Sequence, residues 1–196
     1  MPRKRQFTKD MIVDAAFKVI REQGWPSLSA RTIASELRSS TMPIYSCLKS
    51  MDEIEDKIRS RTYEVLLDYE TKKVTENPFL NLAIGYIVFA QEETNLFKFL
   101  FLERPKPLSK IEQETLQAKA SKALGEDVSL ELYFKETSVR GMNDITLKSW
   151  IFTHGLAMAL SYGVLTDVNQ IKIIGLLQET GQAFVEWAKR IGPNTK

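Results

Sequence analysis

The chain has 196 residues, of which 43% are hydrophobic, so it is long enough and apolar enough to bury a complete core. Its formal net charge is only +2, which excludes a polycation that binds nucleic acid over its whole surface. A single cysteine excludes an intramolecular disulfide, no apolar run approaches the roughly 20 residues that span a bilayer, and a cytoplasmic location without membrane contact is therefore expected.

The chain starts with a short basic segment that contains Arg3, Lys4 and Arg5. Asp14 and Lys18 interrupt the apolar residues that follow it, so no signal peptide is predicted. The basic segment is either a solvated, disordered tail or an arm that becomes ordered on DNA, and the sequence leaves both interpretations open.

The first predicted helix extends from about Thr8 to Gln23, and Gly24 is a natural C-terminal stop. Its apolar residues recur at helical spacing and share one face. They are Ile12, Ala15, Ala16, Val19 and Ile20. This helix therefore offers a surface against which shorter helices can pack.

Two short helices are predicted next. Ser29 stands where the N-cap of the first of them belongs. The apolar face of this helix consists of Ile33, Ala34 and Leu37. The polar residues 38–41 interrupt it, Pro43 suits the first turn of the following helix, and Ile44 and Leu48 give that helix its own apolar face. Two short helices joined by about four residues predict a helix-turn-helix, whose second helix enters a major groove.

The charge distribution agrees with a DNA-binding head. Residues 1–50 carry nine lysines and arginines against four acidic residues, a balance of +5, whereas the remainder carries −3. A basic head on a slightly acidic body is typical of a phosphate-binding module joined to a domain that does not touch the polyanion.

The residues between 33 and 54 also form a familiar pattern. It consists of Ile33-Ala34-Ser35-Glu36-Leu37, Ser40, Ile44-Tyr45, Ser50 and Asp52-Glu53-Ile54. The pattern resembles the TetR family of one-component bacterial transcription regulators, and the resemblance covers roughly residues 8–56. The chain departs from the family in the turn and at the start of the reading helix, where Arg38 replaces a usual Gly, and Met42 and Pro43 replace a common Gly-Thr. These departures concern the operator sequence more than the fold.

The resemblance implies DNA-binding roles for several residues of the head. Tyr45 would contact phosphate, with Lys49 as a second contact, while Ser29 and Arg31 would add contacts to the DNA backbone. Four residues would face the groove, namely Thr41, Met42, Pro43 and Ser46. No Asn, Gln or Arg lies within 41–49, so we expect base readout through van der Waals contacts and DNA shape. The alternative for Tyr45 is a ring packed between helices.

The rest of the chain is predicted to be helical. A fourth helix begins after Ser50 and extends to about Lys73, and a fifth begins at Asn77-Pro78. Further helices are predicted at about 95–102, 109–124, 129–139, 144–165 and 169–191, with stops at Gly125 and Gly141. The predicted fold is all-α, with a three-helix helix-turn-helix head at residues 1–50 joined to a larger helical effector-binding and dimerisation domain at residues 51–196.

The resemblance implies that a small-molecule effector binds in the larger domain. The candidate lining residues are Tyr86, Phe89, Phe97, Phe101, Phe152 and Met158, and the same apolar set includes Phe99, Tyr133, Phe134 and Met142. An aromatic stripe at helical spacing is more often plain core, so both interpretations stay open for each residue. The only histidine, His154, is interpreted as a core or interface residue, and no metal or cofactor is predicted.

The last two helices predict a homodimer. Residues 150–157 are similar to a Trp, His-Gly element in the C-terminal domain of many TetR-like regulators. Small residues would let helix backbones approach closely. They are Gly155, Ala157, Ala159, Gly163, Gly175, Gly181 and Ala183. Two helices from each of two chains would make a four-helix interface, and the alternative is a purely intramolecular core.

Together these patterns predict a TetR-like transcriptional regulator, a repressor that binds a palindromic operator as a homodimer and is released by a small-molecule effector. The alternative is a helical protein-interaction module derived from this fold without operator recognition, because the turn is altered at Arg38 and Ser39. An enzyme is not expected, since the chain has no His-x-x-x-His pair, Gly-rich phosphate loop or nucleophile elbow.

Overall fold

A computed structural model describes residues 7–47, 51–107, 114 and 139–191. The described residues are 79% helical and contain no strand, so the predicted all-α fold class is confirmed. The α-helices are α1 (Lys9–Gln23), α2 (Ala30–Glu36), α3 (Met42–Cys47), α4 (Met51–Glu70), α5 (Pro78–Glu92), α6 (Thr94–Lys98), α7 (Val139–Ser161) and α8 (Gln170–Ile191). A 3-10 turn, Trp25–Ser27, follows α1, and a π-helical turn, Phe99–Glu103, follows α6.

Several predicted helix ends are confirmed by their capping bonds. The Thr8 hydroxyl accepts a hydrogen bond from the Met11 amide at 3.3 Å at the start of α1. Gly24 ends this helix with a φ of 84°. The Asn77 side chain accepts from the Phe79 amide at 3.0 Å and caps α5. Polar caps and glycine stops therefore predict these boundaries because each satisfies backbone groups that the helix leaves unpaired.

Other predicted boundaries were wrong. Gly141 does not end a helix, because α7 begins at Val139 and continues through it. A glycine lowers helix propensity by about 1 kcal/mol without forbidding the conformation. The helix α7 ends at Ser161 rather than Leu165, since Gly163 adopts a φ of 68° and closes the helix there. The predicted helices at 109–124 and 129–139 lie almost entirely outside the described residues.

The chain forms two compact units. The first contains residues 1–65 and 93–112, and the second contains residues 66–92 and 113–196. In the first unit, α1 packs against α2 and α6, and α2 packs against α3. Its core is made by fully buried apolar residues, among them Ile12, Ile20, Ile33, Ile54, Ile58, Phe97 and Phe99.

In the second unit, α5, α7 and α8 pack together. Their buried residues include Ile84, Ile87, Phe89, Leu156, Ala157, Ile173 and Leu177. The last turn of α4 also belongs to this unit and lies close to Gly85 of α5. No helix in the described ranges is both long enough and apolar enough to cross a membrane.

Candidate nucleic-acid interface

The start of α2 is held by a reciprocal cap. The Ser29 hydroxyl accepts a hydrogen bond from the Thr32 amide at 3.1 Å, and the Thr32 hydroxyl accepts from the Ser29 amide at 2.9 Å. Both bonds satisfy amides that the helix cannot pair internally, so the cap fixes where α2 begins. Ser29 is exposed at this end, and the neighbouring Arg31 projects from the first turn.

The turn after α2 is closed by two backbone hydrogen bonds. The Arg38 amide donates to the Ser35 carbonyl at 3.0 Å, and the Ser39 amide donates to the Ala34 carbonyl at 2.9 Å. This pair of bonds is a Schellman motif, which requires a left-handed residue at its centre. Arg38 is that residue, with a φ of 50°. The altered turn therefore still forms a compact link to α3.

The helix α3 places Pro43 in its first turn, as predicted. Ile44 points into the core and is only 2% exposed, whereas Met42 is 74% and Tyr45 73% exposed. The Tyr45 hydroxyl has no hydrogen-bond partner among the described residues. The alternative in which the Tyr45 ring packs between helices is thus wrong, and its phenol is available to an external acceptor or donor.

Two further predicted DNA contacts, Ser46 and Thr41, take part in hydrogen bonds within the chain. Ser46 is exposed, but its hydroxyl donates to the Pro43 carbonyl at 2.9 Å. Thr41 precedes α3 and its carbonyl accepts from the Ile44 amide at 3.1 Å. Ser46 and Thr41 therefore help to hold α3 as well as lying beside its exposed surface. Four predicted DNA contacts, Arg3, Lys4, Arg5 and Lys49, lie outside the described residues.

The cations of α1 are paired with acidic residues of the same unit. Lys9 lies 2.8 Å from Glu53, Lys18 lies 2.7 Å from Glu36, and Arg21 forms an ion pair with Glu93. Through its hydrogen bond, Glu36 raises the pKa of Lys18 above its ordinary value. These three side chains contribute to the packing of α1 more than to a basic surface.

The basic residues of the helix-turn-helix differ from those of α1, because the described ones are not ion-paired. Arg31 in α2 and Arg38 in the turn are exposed, and neither has an ion-pair partner within the part of the chain that the structure describes. A count of basic residues in the sequence treats every lysine and arginine of the head alike. The structure shows which of the described ones form ion pairs. In the sequence Arg38 is only a departure from the family pattern, whereas the structure shows that no described residue pairs its charge.

The predicted effector residues fall into both units. In the first, Phe97 is fully buried and its ring centroid lies 5.1 Å from that of the partly buried Phe101. In the second, Tyr86 and Phe89 are buried. Two more, Phe152 and Met158, are partly buried. The effector pocket stays a prediction, and Tyr133, Phe134 and the Met142 side chain lie outside the description.

His154 takes part in an aromatic cluster of the second unit. Its Nδ1 lies 2.8 Å from the Tyr86 hydroxyl, and the Trp150 ring stacks on it with the centroids 5.1 Å apart. Burial lowers the pKa of His154 below its ordinary value, which favours the neutral imidazole. These contacts give the imidazole a structural partner in α5.

Two known proteins are similar to this chain, one over a short stretch and one over nearly its full length. No family model matches it. A stretch of 46 residues is 41% identical to the HTH-type nicotine-responsive transcriptional repressor HdnoR of Paenarthrobacter nicotinovorans; it makes up 24% of this chain and 24% of that protein. The chain thus matches about a quarter of the length of this relative.

A solved structure is similar over nearly the full length. A protein with unknown function from Rhodococcus sp. RHA1 aligns with 96% of this chain and 99% of its own, with a TM-score of 0.68 and 15% sequence identity. At this identity the likeness shows the fold alone. The chain therefore has a known helical fold, and a short part of it is similar to a helix-turn-helix transcriptional repressor.

Proposed function

We propose that this protein is a TetR-like transcriptional regulator, a repressor that binds a palindromic operator in double-stranded DNA as a homodimer and is released by a small-molecule effector. The observation that carries the proposal is the helix-turn-helix: α3 presents Met42 and Tyr45 to solvent, and the same motif carries Arg31 and Arg38, which have no ion-pair partner among the described residues. In this proposal residues 1–50 bind DNA, and residues 51–196 bind the effector and dimerise. The short similarity to a transcriptional repressor supports the same function.

The proposed division of contacts follows from chemistry. Tyr45, Ser29 and Arg31, with Lys49 and the N-terminal arm, offer hydroxyl, phenol and cationic donors that suit phosphate oxygens. Met42, Pro43, Thr41 and Ser46 present apolar or short groups, which can meet thymine methyls in the groove. Specificity would then depend on van der Waals contact and on DNA shape rather than on paired hydrogen bonds.

Homodimerisation through α7 and α8 is supported by apolar side chains that one chain leaves exposed. They include Leu147, Trp150, Ile151 and Ile171. The side chain that a substitution would add at Gly155, Gly175 or Gly181 meets no atom within 4 Å. Small residues with open space beside them allow a second helix pair to approach closely. Two heads on one operator also supply contacts that a single short helix cannot.

The alternative of a protein-interaction module without operator recognition rested on the altered turn. The Schellman bonds around Arg38 hold that turn in a regular form, so the alteration itself does not favour the alternative. The effector part of the proposal is supported by the family resemblance and by the aromatic residues of the larger domain.

Selection of bound fragments from random DNA tests the repressor function. The purified protein should enrich an inverted repeat, since a twofold dimer binds two half-sites. Replacing Tyr45 by Ala should weaken binding to all sequences by about tenfold, because a phosphate contact carries no base information. Tyr45→Phe, which removes only the hydroxyl, should reproduce most of that loss in a fluorescence anisotropy titration.

Two contrary results have different consequences. Absence of any enriched repeat at low salt would favour the protein-interaction module. Enrichment of a repeat whose binding is unaffected by Tyr45→Ala would leave the function standing and remove Tyr45 from the interface.

A further inference from the structure

The turn between α2 and α3 holds an arginine in a backbone conformation that favours glycine. Among the described residues, Arg38 is the only non-glycine residue with a positive φ, at 50°. The left-handed region brings the Cβ atom close to the following carbonyl oxygen, so every residue with a side chain is disfavoured there. Glycine adopts the same conformation without that cost.

The end of α7 provides a comparison within the same chain. Gly163 donates its amide to the Leu160 carbonyl at 3.1 Å, and Val164 donates to the Ala159 carbonyl at 2.8 Å. This is the bonding pattern that closes α2, and the left-handed position is filled by Gly163 with a φ of 68°. The two motifs have the same geometry, and only the one in the helix-turn-helix carries a charged side chain at its centre.

The Arg38 side chain makes no stabilising polar contact with the part of the chain that the structure describes. It is exposed, and no hydrogen bond, ion pair or ring contact to another described residue involves its guanidinium. Lys18, on the neighbouring α1, shows the contrast, because it is fixed by Glu36 at 2.7 Å. The unfavourable backbone conformation of Arg38 is therefore not offset by an interaction of its own side chain within the described residues.

We infer that Arg38 is a DNA-phosphate contact, made by its guanidinium from the turn that leads into α3. This inference rests on the proposed function, and it adds to the predicted site a residue that the family resemblance does not supply. The turn ends at Thr41, directly before the helix proposed to enter the groove. A guanidinium is always charged and presents paired donors that match the oxygens of a phosphate group. Arg38 and Arg31 together place on this motif two positive charges that no acidic residue in the described ranges pairs.

Three variants separate the backbone cost from the charge. Arg38→Gly removes both, Arg38→Ala removes the charge alone, and Arg38→Lys keeps both. Lys73→Ala serves as a matched control, because it removes one positive charge from an exposed pair with Glu76 in the second unit. Binding is measured by anisotropy on the selected inverted repeat and on a random duplex of equal length, and thermal unfolding is measured without DNA.

The two measurements should move in opposite directions for Arg38→Gly. Its unfolding temperature should rise by about 2 °C as the left-handed cost disappears. Binding of Arg38→Gly and Arg38→Ala should weaken by about tenfold on both duplexes. The slope of log K against log salt should fall by about 2 for a dimer, one unit for each lost contact. Arg38→Lys should stay within about threefold of the unmodified protein, and Lys73→Ala should not change binding.

Each contrary result has a definite meaning. Unchanged binding of Arg38→Ala and Arg38→Gly would overturn the phosphate contact while leaving the proposed function intact. Equal losses in Arg38→Lys and Arg38→Ala with an unchanged salt slope in both would also overturn it, since a lost phosphate contact must lower that slope. If the unmodified protein binds neither duplex at low salt, the proposed function fails and the role of Arg38 fails with it.

Discussion

A buried carboxylate in the first unit is shared by two arginines. Glu55 accepts a hydrogen bond from Arg59 Nη2 at 2.8 Å and from Arg104 Nη2 at 2.8 Å. Burial acts to raise the pKa of Glu55, but the hydrogen bonds and charges of Arg104 and Arg59 outweigh it and hold the pKa below its usual value. Arg59 is only 1% exposed, and its Nε and Nη1 have no hydrogen-bond partner among the described residues. The cluster thus contains one more positive charge than negative.

This excess of positive charge predicts that substitutions of Glu55 and of Arg59 change the stability unequally. Glu55→Leu leaves Arg59 as an uncompensated buried cation, and it should cost about 3–5 kcal/mol of unfolding free energy. Arg59→Met removes a buried charge and two unsatisfied donors, while Glu55 retains Arg104, so it should cost less than about 1 kcal/mol or stabilise. Urea denaturation of both variants measures the difference.

Equal costs for the two substitutions would contradict this account of the cluster. A control is Arg61→Met on the same helix, where the exposed pair with Asp14 should contribute little. The Arg61 guanidinium also lies 4.5 Å from the Phe17 ring centroid, so a small loss of packing is expected even there.

The contact between α4 and α5 depends on a glycine. A Cβ atom added at Gly85 would lie 2.5 Å from Cα of Glu70 and would collide with the Tyr69 carbonyl oxygen. Both obstacles are backbone atoms, which cannot turn away as a flexible side chain can. Gly85 therefore sets how closely these two helices approach in the second unit.

Gly85→Ala should destabilise the protein although alanine is the better helix former. Propensity alone predicts a gain of about 1 kcal/mol, whereas the collision should produce a net loss of about 3 kcal/mol. Ala83→Gly in the same helix is the matched control and should lose only about 1 kcal/mol. Thermal and urea unfolding of both variants measure these changes in stability. A Gly85→Ala protein as stable as the original would contradict the prediction, because α4 and α5 could then move apart at no cost.

Helices were predictable from the sequence where local chemistry fixes them. Thr8, Ser29 and Asn77 cap helices because their side chains bond amides two or three residues further along, and such pairs are visible in the sequence. The π-helical turn at Phe99–Glu103 was predicted only as ordinary helix, since its apolar spacing does not distinguish the two.

Features that depend on distant residues were not predictable. Lys9 and Glu53 lie 44 positions apart, and Arg21 and Glu93 lie 72 apart, so no local pattern indicates that these charges are paired. For the same reason the sequence showed a basic head but not which of its cations remain free. The left-handed Arg38 was equally hidden, because a short polar turn accommodates several backbone forms.

One chain alone leaves a large apolar surface on its last two helices. Leu147, Ile151 and Gly155 are exposed and follow each other at every fourth residue of α7, so they share one side of that helix. On α8, Ile171 is 82% exposed. A twofold contact between identical chains typically buries an apolar stripe of this kind, in which a glycine has no atoms packed against it.

Ile151→Asp therefore tests the proposed assembly of the whole molecule. The side chain is exposed in a single chain, so the substitution should leave the helical content and the folding of one chain unchanged. In a dimer the carboxylate would be buried without a partner, and sedimentation should show a single chain instead of two. Operator affinity should fall by at least about a hundredfold, because one head then binds without the second.

The control for that experiment is Val74→Asp, which changes an exposed apolar residue of the same unit outside α7 and α8. It should remain dimeric and bind as the unmodified protein does. A dimeric Ile151→Asp protein would move the interface away from α7. A protein that is monomeric without any substitution would require the two heads to be brought together by the operator itself, and the apolar stripe would then need another partner.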